Sequence, residues 1–185
     1  MGRTGCSPSW TDVRWTGIYQ VAFPYTVLDY VLMGRAPYIP AFSSPTEEDT
    51  SIAVESINEA CIMDLVNKPV NEVSGGEHQM ALITRVLAQK LDILLLDEPT
   101  SHLDYGNQIQ VLSLIERLKE KGIAFVMTSH FPDHAFIISD KVGIMREGAF
   151  SMIGPSEEAV TSESLKETYK VDFRVEYIEV AERKI

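Results

Sequence analysis

The apolar run Ile93-Leu94-Leu95-Leu96 stops on two consecutive acids, Asp97 and Glu98. From there to about residue 150 the chain alternates short apolar runs with amphipathic helices. A continuous apolar run bounded by polar residues suits a strand covered on both faces. Asn107–Lys121 comes next, with Val111, Leu112, Ile115 and Leu118 at helical spacing, and Lys119, Lys121 and Gly122 mark its end. Ile123–Thr128 reads as a second buried strand and Pro132–Ile138 as a short helix with proline near its start. Lys141–Met145 reads as a third strand, with a hairpin turn over Gly148–Gly154. This alternation predicts an α/β fold on a parallel sheet with right-handed crossovers.

The stretch before it is helical. Residues 1–16 show neither a helix nor a strand period, and Pro24, Pro37, Pro40 and Pro45 punctuate residues 17–45. Thr26–Arg35 reads as a short helix capped by Thr26, with Val27, Val31 and Leu32 on one face. Ser44-Pro45-Thr46-Glu47 has the S-x-x-E order of a capping box with proline at the first helical position. Ala53, Ile57, Ala60 and Cys61 then recur at helical spacing. After a break at Asn67–Asn71, Ser74 caps a third helix running to about Lys90. Beyond the core, Glu157–Tyr169 reads as helix and Val171–Val180 as extended chain. The expected organisation is an irregular lead-in over 1–16, a helical subdomain over 17–90, the α/β core over 91–154, and a C-terminal helix and extended tail over 155–185.

Composition narrows the function classes. The net charge of -11 argues against a sequence-independent grip on nucleic acid and against a polybasic membrane anchor. The apolar runs reach about five residues, far short of the roughly 20 that cross a bilayer, so no direct membrane insertion is expected. No apolar signal-peptide region opens the chain. Cys6 and Cys61 stand far apart in no metal-ligand spacing, which reads as a loop thiol and a helix-packing thiol in a reducing compartment.

Four short stretches carry chemistry. A buried parallel strand delivers the residues after it to the carboxyl edge of the sheet, where ligands bind. There Asp97 can serve a magnesium ion and Glu98 can orient and deprotonate a water; two surface acids capping the next turn is the plainer alternative. Val73-Ser74-Gly75-Gly76-Glu77-His78-Gln79 contains a second S-x-x-E box, but the box leaves both glycines unexplained. Glycine at a helix start lets the backbone approach another group, and the bare amides there favour an anion. Ser101-His102-Leu103-Asp104 reads as a loop with a helix-capping Asp104. His130 ends the second strand and can reach the same edge as Asp97. His134 stands four residues further on, but Pro132 starts a helix between them, so the two rings are not expected to share a face as zinc ligands.

In this order, SGGEHQ, LLLDEPTSHLD and TSH resemble the signature motif, Walker-B strand, D-loop and switch histidine of ABC transporter ATP-binding subunits. The resemblance spans roughly residues 17–175. FPYTVLDYVLMGRAPY, TSHLDYGNQ and SHFPDHAF look like the importers of iron-siderophore, haem or cobalamin-type chelates. The fold so implied is a partial P-loop NTPase core with a parallel sheet and a helical subdomain. The resemblance implies ATP and Mg²⁺ as cofactors. It assigns Asp97 to the magnesium, Glu98 as general base and His130 to the γ-phosphate. Ser74, Gly75 and Gly76 would clasp ATP held by the opposite subunit of a dimer, with Gln79 among the nucleotide-binding positions. Asp104 would couple the two sites, and Gln20 is the candidate glutamine that senses magnesium and the membrane subunit. The implied partners are a second ATPase subunit and transmembrane permease subunits, which would hold the chain on the cytoplasmic face of the membrane.

The sequence has no G-x-x-x-x-G-K-[ST] phosphate-binding loop; Gly2–Ser7 bears glycines but Pro8 stands where a lysine would help. The chain therefore reads as N-terminally truncated relative to this family, with an incomplete sheet and an exposed edge. Alone it is expected to bind ATP poorly and not to turn it over. Two other readings are a non-catalytic partner that clamps ATP held by another subunit, and the C-terminal lobe of a split chromosome-maintenance ATPase. The second requires long heptads before the signature, and Thr26–Lys90 has none.

Overall fold

The computed structural model describes residues 24–178 and 183–184. Helix α1 spans Val27–Leu32, and a 3-10 helix continues from Met33 to Tyr38, so the expected α-helix ends earlier than Arg35. Pro37 explains the change of winding, because it donates no amide and disfavours α geometry at Ala36. Helix α2 runs over Glu47–Glu59 and α3 over Gly75–Leu87. The cap of α2 is Thr46 rather than Ser44: its hydroxyl accepts from the Asp49 amide, and the Asp49 carboxylate accepts from the Thr46 amide. The capping box is thus shifted two residues from the expected one. Cys61 stands beyond the end of α2 with φ at 58° and is exposed, so it does not pack the helix.

The core of this helical part takes most of the faces that the spacing predicts, with Ile83 added and Leu32 only partly buried. Val27, Val31, Ala53, Ile57, Ala81, Ile83 and Leu87 are buried together, and removing such area from water stabilises by about 25 cal/mol per Å². A buried ion pair closes it. Arg35 Nε donates to Asp49 Oδ1 at 3.0 Å, and Arg35 Nη1 donates to the carbonyl of Ala88 at 3.0 Å. A Cβ at Gly34 would stand 2.1 Å from the carbonyl oxygen of Arg85, so only glycine lets the two segments come this close.

Strand β1 (Ile93–Asp97) pairs in parallel with β2 (Ala124–Thr128), and α4 (Tyr105–Glu120) forms the crossover between them. Helix α4 buries Val111, Leu112, Leu114, Ile115 and Leu118. Among the described residues the parallel sheet has two strands. The third expected strand, β3 (Val142–Arg146), lies after α5 (Pro132–Ile138) and pairs only with β4 (Ala149–Gly154), in an antiparallel hairpin turned at Glu147 and Gly148, both at positive φ. The tail helix is broken in two, α6 (Ser156–Ala159) and α7 (Ser162–Tyr169), because Thr161 caps the second. Two-residue strands β5 (Tyr177–Ile178) and β6 (Arg183–Lys184) pair beyond it.

One expectation about β1 is corrected. Leu94 and Leu96 are buried against the helical side, but Ile93 and Leu95 are 48% and 43% exposed, and Val126 on β2 is 62% exposed. The strand is covered on one face only. Among the described residues the other face is left about half exposed, and no further strand pairs with β1 or β2.

Candidate functional site

The parallel register sets Asp97 opposite Thr128 at the carboxyl end of the sheet. The Thr128 hydroxyl donates to Asp97 Oδ1 at 2.6 Å and accepts from the Glu98 amide at 2.9 Å. One side chain of β2 therefore holds the Asp97 carboxylate and the backbone of Glu98. Glu98 has left the strand with φ at 44°, and His102 in the next loop has φ at 62°. Residues other than glycine reach that region at a cost of about 1–2 kcal/mol, so the loop is held in shape by its surroundings. The left-handed turn carries the Glu98 carboxylate towards β2, where Oε2 lies 3.3 Å from His130 Nδ1. Both side chains are about half exposed, so the pair faces solvent.

Ser74, Gly75 and Gly76 stand at the start of α3. The Ser74 hydroxyl accepts from the Glu77 amide at 3.3 Å and the Glu77 carboxylate accepts from the Ser74 amide at 2.6 Å. That amide holds the Glu77 carboxyl below its ordinary range, with Lys68 at 3.4 Å adding to the effect. The two glycines differ. A Cβ on Gly75 meets nothing, so its approach is open. A Cβ on Gly76 would meet the Asn107 side chain at 2.2 Å. Gly76 is thus required by α4, a neighbour within the chain. Asn107 in turn donates from Nδ2 to Asp104 Oδ2 at 2.6 Å and from its amide to Oδ1 at 2.9 Å. Asp104 caps α4, and the Asn107 amide lowers its carboxyl pKa.

The structure therefore gathers the expected residues into two places. Asp97, Glu98 and His130 form one, through Thr128. Ser74–Gly76 and Asp104 form the other, through Asn107. Among the described residues no hydrogen bond or ion pair joins the two. Gln79 and Asp97 both line a cleft with Leu82, Ile83, Val86, Leu95, Leu96 and Pro99. Gln20 lies outside the described residues. Thr128 and Asn107 carry the geometry, yet motif reading passes over them; counting the register across from Asp97 would have found Thr128.

His134 and His130 face different partners. His134 is 2% exposed, and its Nδ1 lies 3.0 Å from Ser129 Oγ and 3.4 Å from Thr100 Oγ1. Burial holds its imidazole below the ordinary pKa, with Asp133 opposing and His130 adding.

The donor chemistry fits a magnesium nucleotide. Asp97 Oδ1 accepts from Thr128, and its second oxygen is a hard ligand suited to Mg²⁺. The 13-residue helix α3 begins with an exposed serine and glycine, which suits a phosphate.

The ABC transporter family profile matches residues 19–101. The molybdate import ATP-binding protein MolC of Haemophilus influenzae is 36% identical over 144 residues, covering 77% of this chain and 56% of its own length. The iron(3+)-hydroxamate import ATP-binding protein FhuC of Bacillus subtilis is 32% identical over 151 residues, 81% of this chain and 56% of its own. The chain spans about half the length of the curated relatives it matches. An inward-facing metal-chelate type ABC transporter superposes with a TM-score of 0.84 at 31% identity, over 91% of this chain and 68% of that one. These matches establish that the chain belongs to the ABC transporter ATP-binding family.

Proposed function

We propose that this chain is the ATP-binding and hydrolysing subunit of an ABC importer for metal chelates such as iron-siderophore, haem or cobalamin. It would work with a second ATPase subunit and be held on the inner face of the membrane by permease subunits. The observation that carries the reading is the Glu98–His130 contact at 3.3 Å, beside Asp97, at the carboxyl edge of the parallel pair. The superposition on a metal-chelate type transporter and the likeness to FhuC support the solute class. The likeness to MolC allows an oxyanion as the cargo.

Bound magnesium nucleotide supplies the phosphoryl group and the divalent charge that offsets it. Asp97 would hold the metal through the oxygen that Thr128 leaves free. Glu98 would orient a water and accept its proton, as a carboxylate at hydrogen-bond reach can. His130, opposite Glu98, would fix that carboxylate from one side and meet the γ-phosphate from the other. Ser74, Gly75 and Gly76, with Gln79 beside them, would clamp ATP held by the second subunit, and Asp104 would report on that contact through Asn107. Gln20 would sense the magnesium and the permease.

A second reading rests on one sequence fact: no G-x-x-x-x-G-K-[ST] loop occurs in the 185 residues. The chain would then clamp a nucleotide carried by a complete partner without binding its own. The test of the main reading is uptake of radiolabelled iron-siderophore, haem and cobalamin by cells whose only copy is wild type or Glu98→Gln. Wild-type cells are expected to take up at least one chelate and the variant to lose it. Equal uptake by both on every chelate would overturn the proposal.

A further inference from the structure

His134 has no part in the chemistry above, yet it is among the most buried polar side chains described. It sits where two loops meet. Its Nδ1 lies 3.0 Å from Ser129 Oγ, one residue before His130, and 3.4 Å from Thr100 Oγ1, two residues after Glu98. Thr100 is itself buried. The hydroxyl of Ser129 accepts from the Phe131 amide at 3.1 Å, so its own proton is available to donate to His134. With that hydroxyl donating, Nδ1 is the acceptor and Nε2 carries the ring proton, the tautomer that imidazole spectra read out. The Phe131 ring is flanked by both imidazoles, with centroids 4.1 Å from His130 and 5.0 Å from His134. Behind His130, Tyr169 donates to its carbonyl at 3.0 Å and closes the segment from the other side.

We infer that His134 is a positioning residue: it ties the Thr100 loop to the Ser129 segment and so sets the spacing of Glu98 and His130. The physical argument is one of degrees of freedom. Glu98 and His130 are both half exposed and touch at 3.3 Å, a contact that solvated side chains do not hold by themselves. Their backbones must be held instead. Thr128 holds the amide of Glu98 on the strand side. On the loop side, a buried acceptor reached by hydroxyls from both segments does the same, and the His130–Phe131–His134 ring column limits how His130 turns. A leucine in place of His134 would fill the volume but leave the buried hydroxyl of Thr100 without this partner.

The inference rests on the reading of Glu98 and His130 as the reacting pair, and the two can fail separately. The chain is labelled with 15N throughout and with 13C at histidine, and the imidazole spectra of the wild type, His134→Leu and His134→Asn are compared. Amide signals of α1–α3 serve as the check that the fold is kept. Asparagine retains an acceptor near the Nδ1 position, whereas leucine does not. The expected result is that the wild type shows His134 with Nε2 protonated. His134→Leu is expected to move and broaden the His130 ring signals, and His134→Asn to restore them. Unchanged His130 signals in folded His134→Leu would overturn the inference, as would equal displacement by both variants. If the leucine variant does not fold, Ser129→Ala and Thr100→Val carry the test, since each removes one hydroxyl. Displaced His130 signals in either support the inference, and unchanged signals in both overturn it. In the uptake assay, loss with Glu98→Gln but full uptake with folded His134→Leu sinks this inference and leaves the proposed function standing. Full uptake with Glu98→Gln sinks the function whatever the spectra show.

Discussion

Thr128 and Asp97 face each other across the parallel strands, and the threonine hydroxyl donates to the carboxylate at 2.6 Å. The same oxygen accepts from the Glu98 amide at 2.9 Å. Thr128→Val keeps the shape and removes both bonds. It is expected to lower stability by about 1–3 kcal/mol, the net worth of two such bonds, while Thr128→Ser restores most of it. Urea unfolding midpoints of the three proteins check this. Uptake should fall in the valine variant, because Asp97 and Glu98 both lose their shared support.

The two glycines of α3 should respond in opposite ways. Gly76→Ala drives a Cβ to 2.2 Å from the Asn107 side chain, which must swing off Asp104 to escape. A loss of about 1–3 kcal/mol is expected, as for other overpacked contacts. Gly75→Ala meets nothing and should leave stability within about 0.5 kcal/mol. If Gly75 belongs to a clamp for a partner's nucleotide, that same silent variant should reduce uptake. Thermal melts paired with the uptake assay separate the two roles.

Acid should weaken the fold through its buried imidazoles. Burial lowers the pKa of both His78 and His134 from the ordinary value of 6.5. Below that value the unfolded chain takes up protons that the folded chain refuses, so the unfolded state gains. The contribution is complete above 6.5 and is lost as pH falls towards the lowered folded values. Unfolding midpoints measured from about pH 7.5 down to about pH 5.5 should therefore drop, and the drop should shrink in His134→Asn. A flat profile over that window would contradict the burial argument.

Nucleotide binding by the isolated chain should be weak. The sequence has no loop that wraps the β- and γ-phosphates, and Asp97 with the start of α3 offers few contacts. Titration calorimetry is expected to give a Kd of about 1 mM or weaker for magnesium ATP, some 4 kcal/mol of binding. Micromolar binding would show that another part of the chain holds the phosphates.

Much of this arrangement is legible in the residues. Ser74 caps α3 where expected, Asp104 caps α4, and Ile93–Asp97 and Ala124–Thr128 pair in parallel. Periodicity and caps are local signals, and they place the elements. Three features escaped because they depend on what lies across space. The box at Ser44 lost to the one at Thr46, since Asp49 also meets the buried guanidinium of Arg35 and draws the helix start to itself. Leu94 and Leu95 are identical in sequence, yet one is buried and the other exposed, because the two faces of the sheet are unequally covered among the described residues. Gly76 reads in sequence as open to an external group, and what the sequence does not show is that Asn107 of α4 also packs beside it.

The guanidinium of Arg35 has a consequence for how the helical part comes apart. It bonds the first turn of α2 through Asp49 and the last turn of α3 through Ala88, while Tyr38 donates to the next carbonyl, Gln89, at 2.6 Å. Parting the 3-10 helix from α2 strands a buried charge, and parting it from α3 leaves a guanidinium donor and the Ala88 carbonyl unpaired. Their amides should then exchange with solvent at a common opening free energy, as one cooperative unit, and the start of α3 would inherit the steadiness of helices far from it in sequence.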